Sequence, residues 1–154
     1  MTARSFAFAA ILLIASCGPQ AATTSTTSAA PSFSIGTLAD SDAPIQGCSV
    51  MLSRAGAAPS DGDVFRAGGD DDKTVQGFIR IDGALITLGL VNASITEKGG
   101  ARTFADAQHA TQVVETLTTG EAHEEADSVD ESGTLAVTHN GATETLQVTG
   151  GTAC

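Results

Sequence analysis

The chain has 154 residues, with 7 basic and 18 acidic side chains and a formal charge of −11. That balance argues against nucleic acid and against an anionic membrane surface as electrostatic partners; it suits solubility. Trp and Tyr are both absent, so the aromatic platforms on which sugars or bases stack are not available.

Met1-Thr2-Ala3-Arg4 supplies one positive charge, an apolar run follows from Phe6 to Ile14, and small residues close the segment. Residues 1–16 thus have the layout of a secretory signal peptide, with an apolar run too short to span a bilayer as a helix. The closing Ile14-Ala15-Ser16-Cys17 resembles the lipobox of bacterial lipoproteins. The resemblance implies cleavage before Cys17, acylation of its thiol and a membrane partner reached through that lipid. Gly18 stands where retention signals of inner-membrane lipoproteins usually have Asp. By resemblance, the destination is the outer membrane of a Gram-negative bacterium, facing the periplasm. The alternative is a soluble secreted protein. From Cys17 to Ser34 the chain is small, uncharged and rich in Ser, Thr and Ala. Such a stretch cannot bury enough apolar surface to fold and reads as a flexible tether.

An odd cysteine count is awkward in a secreted protein. If Cys17 carries lipid, Cys48 and Cys154 remain as a pair, and an oxidising envelope lets a disulfide persist. Such a bridge would clasp the two ends of residues 35–154, which are the size of one domain. The alternative is two unpaired thiols.

That domain reads as all-β. Strands are expected near residues 48–54, 63–66 and 112–118, and two hairpins can be placed in register. Asp82-Gly83 is a two-residue turn signal, so Ile81 should face Ala84, Ile79 face Ile86 and Gly77 face Leu88. This puts Ile79, Ile81, Ile86, Leu88 and Leu90 on one face, with Arg80 and Thr87 on the other; a slip of one residue destroys the agreement. The acidic stretch 119–132 is either a long loop or the outer ends of two strands joined by one. Asn140-Gly141 then gives a second turn, with His139 facing Ala142, Val137 facing Glu144, Leu135 facing Leu146 and Gly133 facing Val148. Each hairpin has one apolar face, so the sheet must close or fold over on itself, as a small antiparallel barrel or a sandwich.

Little in the chain points to catalysis or to a cofactor. His109, His123 and His139 are scattered, and no second histidine lies four residues from His123 as a zinc protease helix requires. His139 reads as a strand-end residue near Glu144. Asp61, Asp63, Asp70, Asp71 and Asp72 flank residues 62–69 without the alternating spacing of a calcium loop. Neither cysteine of the domain has a second one nearby to hold a metal. There is no nucleophile elbow, phosphate loop or dinucleotide fingerprint. No catalytic residue, metal or cofactor is expected.

Asp82-Gly83-Ala84-Leu85-Ile86-Thr87-Leu88, followed by Gly99-Gly100-Ala101-Arg102-Thr103-Phe104, resembles the membrane-bound lysozyme-inhibitor lipoproteins. The resemblance implies a small lipid-anchored β domain with a disulfide to a C-terminal cysteine. It also implies a Ser-Gly-x-Arg/Lys-Tyr loop that enters the lysozyme cleft, on which Gly100 and Arg102 fall. Gly99 replaces the serine of that loop and Thr103 the tyrosine, and the family's tryptophan strand has no counterpart here. The expectation from sequence is a lipid-anchored envelope protein with a non-catalytic binding or structural domain, whose partner is a protein or other envelope component. A lysozyme inhibitor and a calcium-dependent surface or adhesion module are the alternatives.

Overall fold

The computed structural model describes residues 32–70 and 74–154; the leader, Cys17 and the tether up to residue 31 lie outside the described residues, as do Asp71 and Asp72. Among the described residues there are nine strands. They are β1 (Ile35–Gly36), β2 (Ser49–Arg54), β3 (Phe65–Gly68), β4 (Gln76–Ile81), β5 (Ala84–Thr96), β6 (Gly99–Ala105), β7 (Thr111–His123), β8 (Ser128–His139) and β9 (Ala142–Ala153). From β2 to β9 each strand pairs antiparallel with the next. Strand β9 then pairs back onto β2, from Ser49↔Ala153 to Arg54↔Val148, which closes an eight-stranded up-and-down barrel. Closure removes the sheet edges that a sandwich would leave. The short β1 adds to the end of β4 through Ile35↔Ile81 and Gly36↔Arg80.

Both hairpins have the register expected from their turns. Ile81↔Ala84, Ile79↔Ile86 and Gly77↔Leu88 join β4 to β5. His139↔Ala142, Val137↔Glu144, Leu135↔Leu146 and Gly133↔Val148 join β8 to β9. The turn residues explain why: Asp82 and Gly83 have φ of 50° and 82°, and Asn140 and Gly141 have 49° and 85°. Positive φ at both central positions is the type I′ geometry that matches the twist of a hairpin, and Asn, Asp and Gly are the residues that tolerate it.

The inward face of this barrel forms the core. Ile79, Ile81, Leu88, Leu135, Val137 and Val148 are buried, along with Phe65 and Phe104, whose rings meet edge to face at 5.4 Å. The outward face of β4 is covered as well, which the alternation pattern did not suggest. Residues 37–46 lie across it, packing Leu38, Ala43 and Ile45 against Phe78. Arg80, on that outer face, donates two hydrogen bonds to the Asp42 carboxylate, at 2.8 and 2.7 Å, and so fastens this strap.

The connections divide between two ends. The turns at 82–83 and 140–141 and the loop at 106–110 lie at the lower end. Residues 33–36 cover part of it: the Phe33 ring stands edge-on to His139 at 5.7 Å, and the Ser34 backbone N–H and hydroxyl donate to Asp82 Oδ1. At the upper end lie the β5–β6 turn, the β7–β8 connection and the disulfide between Cys48 and Cys154, whose Cα atoms are 4.1 Å apart. Cys48 immediately precedes β2 and Cys154 immediately follows β9. The bridge therefore staples the seam between the first and last barrel strands, the pairing with the greatest sequence separation.

Candidate functional site

The apolar core of the barrel reaches up to the level of Phe104 and Val113, a register pair in which both side chains are fully buried. One step higher on the same inward faces the chemistry changes. Arg102 on β6 and Glu115 on β7 stand directly opposite each other, and Arg102 Nε donates to Glu115 Oε1. The Glu115 side chain is 1% exposed and that of Arg102 20%. The guanidinium also lies 5.9 Å from the Phe104 ring centroid, in cation–π range. Glu115 Oε2 is buried and has no hydrogen-bond partner among the described residues. Leaving a buried carboxylate oxygen unpaired costs on the order of 1–3 kcal/mol, so such an atom calls for an explanation.

Above this pair the barrel opens into a cavity of about 330 Å³ at the upper end. Ile95, Leu117 and Val129 supply apolar wall, and Arg102, Glu115 and Glu131 supply the polar groups. Thr152 on β9 donates to Glu131 Oε2 at 3.0 Å, which holds that carboxylate against the wall. Burial pushes the Glu115 carboxyl above its ordinary value; Arg102 opposes this, and the Glu131 charge adds to the rise. Eight-stranded barrels have an interior just wide enough to be filled by side chains or to hold one small ligand. This barrel does both, filled below and open above.

The local sequence explains the opening. Past its last pair with β4, at Gly89, β5 continues to Thr96 paired with β6 alone, through a bulge between Leu90 and Asn92. Val91 and Ile95 on this extension are each 58% exposed. Gly100 lies between Ile95 and Leu117 in register, and a Cβ there would run into the Ser94 carbonyl oxygen. Only glycine lets the backbones approach so closely.

The residues singled out from sequence fall as follows. Cys48 and Cys154 form the disulfide. Cys17 lies outside the described residues. Gly100 and Arg102 do not belong to a loop: both are in the interior of β6, which is paired with β5 on one side and β7 on the other, and Arg102 points inward to Glu115. The acidic stretch forms the outer ends of β7 and β8, joined by a tight turn at Glu124–Ala126, so Gly120 belongs to β7 and not to a loop. The histidines do not converge. His123 Nε2 meets Asp130 Oδ1 at 3.2 Å near the upper end, whereas His139 Nδ1 meets the Thr111 hydroxyl at 2.9 Å near the lower one. His109 sits in the lower loop, at φ 56°. Glu144 reaches Arg54, at 3.9 Å, and not His139, because the register sets it opposite Val137, two pairs further along β8. Asp63 accepts from Ser53 Oγ and Arg66 Nε. Among the described residues no group of three His, Cys, Asp or Glu is placed to hold a metal ion.

Sequence reasoning missed Glu115 and Glu131. The signal for the first was present: Val113 and Leu117 alternate inward on β7, and a charged residue stands between them on the same face. No protein-family model, curated protein or solved structure matches the chain.

Proposed function

We propose that this chain is a lipid-anchored protein of a Gram-negative cell envelope, held at the outer membrane through Cys17. Its disulfide-closed barrel would bind a ligand at the open upper end without transforming it. The binding half of this reading rests on one observation above all. A barrel with a buried apolar core opens at one end over a buried Arg–Glu pair, one oxygen of which has no hydrogen-bond partner among the described residues. Convergent polar groups in a mostly apolar concavity are the usual make-up of a small-molecule site. The chemistry of the lining favours binding over catalysis, since a paired guanidinium and carboxylates offer recognition but no activated nucleophile.

The anchoring half is supported by cysteine pairing. With Cys48 and Cys154 joined, Cys17 is the remaining one of the chain's 3 cysteines, standing at the end of a signal-like leader. The lysozyme-inhibitor reading needs Gly100 and Arg102 in a protruding loop, and their place in the interior of β6 does not favour it. Envelope fractionation tests the anchor. The wild-type chain should pellet with membranes in high salt, and Cys17→Ala should move to the soluble periplasmic fraction.

A further inference from the structure

Taking the open end as a binding site, we infer that it selects a small ligand with a protonated amine on a short apolar body. The amine would be received by Glu115 and Glu131, and the apolar part would lie against Leu117, Val129 and Ile95.

Charge at the cavity argues for the sign of the ligand. The lining holds three carboxylates, Glu97, Glu115 and Glu131, against the one guanidinium of Arg102. Arg102 is already committed to Glu115 Oε1, so the pair is close to neutral as a unit and the remaining carboxylates set the potential. The charge of the chain as a whole, −11, has the same sign and would draw cations towards the opening. A free carboxylate ligand would meet the opposite field.

Hydrogen bonding argues for the amine. Among the described residues no group donates to Glu115 Oε2, and an ionised carboxylate can only accept. A ligand that offers N–H donors therefore completes it, whereas an ether or ketone leaves it unpaired. Glu131 stands on β8 and is oriented by Thr152. Because Glu115 is held from β7 and Glu131 from β8, in a register fixed by Leu117↔Gly133 and Thr119↔Glu131, the two acceptors are preset by the barrel and not by a flexible loop. Preset acceptors cut the ordering cost of binding. A cavity of about 330 Å³ limits the ligand to a small molecule or to the end of a longer chain.

The test uses the full secreted chain, isotope-labelled, and three probes of one shape: n-butylammonium, n-butanol and butyrate. Amide shifts of Arg102, Glu115, Leu117 and Glu131 are followed by NMR. We expect saturable shifts with butylammonium, an affinity at least about tenfold above that of butanol, and the weakest response with butyrate. Glu115→Gln should reduce the butylammonium affinity about tenfold or more, with a clearly smaller loss for butanol, whose hydroxyl can donate but carries no charge. If Glu115→Gln does not fold, Glu131→Gln on the cavity wall carries the same comparison. Equal affinity for the three probes, or tighter binding of butyrate, would overturn the amine inference while leaving a binding cavity in place. Failure of all three to saturate would overturn the binding reading itself.

Discussion

The bridge between Cys48 and Cys154 allows a quantitative prediction. It spans a sequence separation of 106 residues and sits at the upper end of the β2–β9 seam, beside the pair Ser49↔Ala153. Every other strand pairing in the barrel joins sequence neighbours and closes through a local turn or loop. The seam alone must bring together the first and last barrel strands, so it bears the largest loop-closure entropy, and the disulfide removes that entropy from the unfolded chain. The chain-entropy model gives about 4–5 kcal/mol for a loop of this length. For a domain of this size, where a loss of 1 kcal/mol lowers Tm by about 4 °C, that amounts to about 15–20 °C. Thermal unfolding of the oxidised protein should therefore lie that far above the same protein in reductant, or above the Cys48→Ser, Cys154→Ser double variant. The reduced protein should keep its β-sheet circular dichroism at low temperature, because Leu135, Val137, Ile79 and Phe65 bury the core without help from sulfur. A shift of less than about 3 °C would refute the entropy argument, and loss of the sheet at low temperature would refute the claim that the core suffices.

Three further outcomes are expected. Gly141→Val forces a β-branched residue into φ 85° and should cost about 1–3 kcal/mol. The same change at Gly120, where a Cβ would lie 3.3 Å from Asp130 and φ is not positive, should cost less; equal melting temperatures for the two variants would contradict the turn argument. For Glu115, burial raises the folded-state value above the ordinary 4.5, so this group favours folding below 4.5 and that contribution is lost as pH rises through the raised value. Stability measured by denaturant against pH should therefore fall less steeply towards neutrality in Glu115→Gln than in the wild type, and parallel curves would exclude a raised carboxyl. Asp42 has the opposite sign: the Arg80 hydrogen bonds lower it, so its contribution is present above the ordinary 3.8 and lost as pH falls through the lowered value. Asp42→Asn should destabilise the protein at neutral pH and have little effect in strong acid; an equal loss at both would mean that packing of the strap, and not charge, is what Asp42 supplies.

The parts of the fold legible in the sequence were those where turn chemistry and apolar alternation agree. Asp82-Gly83 and Asn140-Gly141 placed two hairpins in register, and cysteine arithmetic paired the two ends of the barrel. The alternation fades at the upper end, and for a physical reason. On β6 the inward positions are Gly100, Arg102 and Phe104, so a single large apolar residue marks a strand of seven residues. On β7 and β8 the inward series passes from Val113 and Leu135 to Glu115, Thr119 and Glu131. Where the interior stops being core and becomes a site, the pattern that announces a strand is lost as well. That is why β6 resembled a loop and why residues 119–132 could be read either as an acidic loop or as the outer ends of two strands. The strap over β4 was hidden for another reason: residues 37–46 have no period of their own and are held by Phe78 and the Asp42–Arg80 pair, contacts distant in sequence.

A single covalent link through Cys17 is proposed to hold this barrel at a membrane, and partition of the Cys17→Ala chain tests that proposal most directly. A diacyl or triacyl anchor buries tens of methylenes at about 0.8 kcal/mol each, which makes spontaneous release negligible. Salt-washed envelopes should retain the wild-type protein, and Cys17→Ala should be recovered folded and disulfide-bonded in the soluble periplasmic fraction. A Cys17→Ala protein that still pellets with washed membranes would contradict the account.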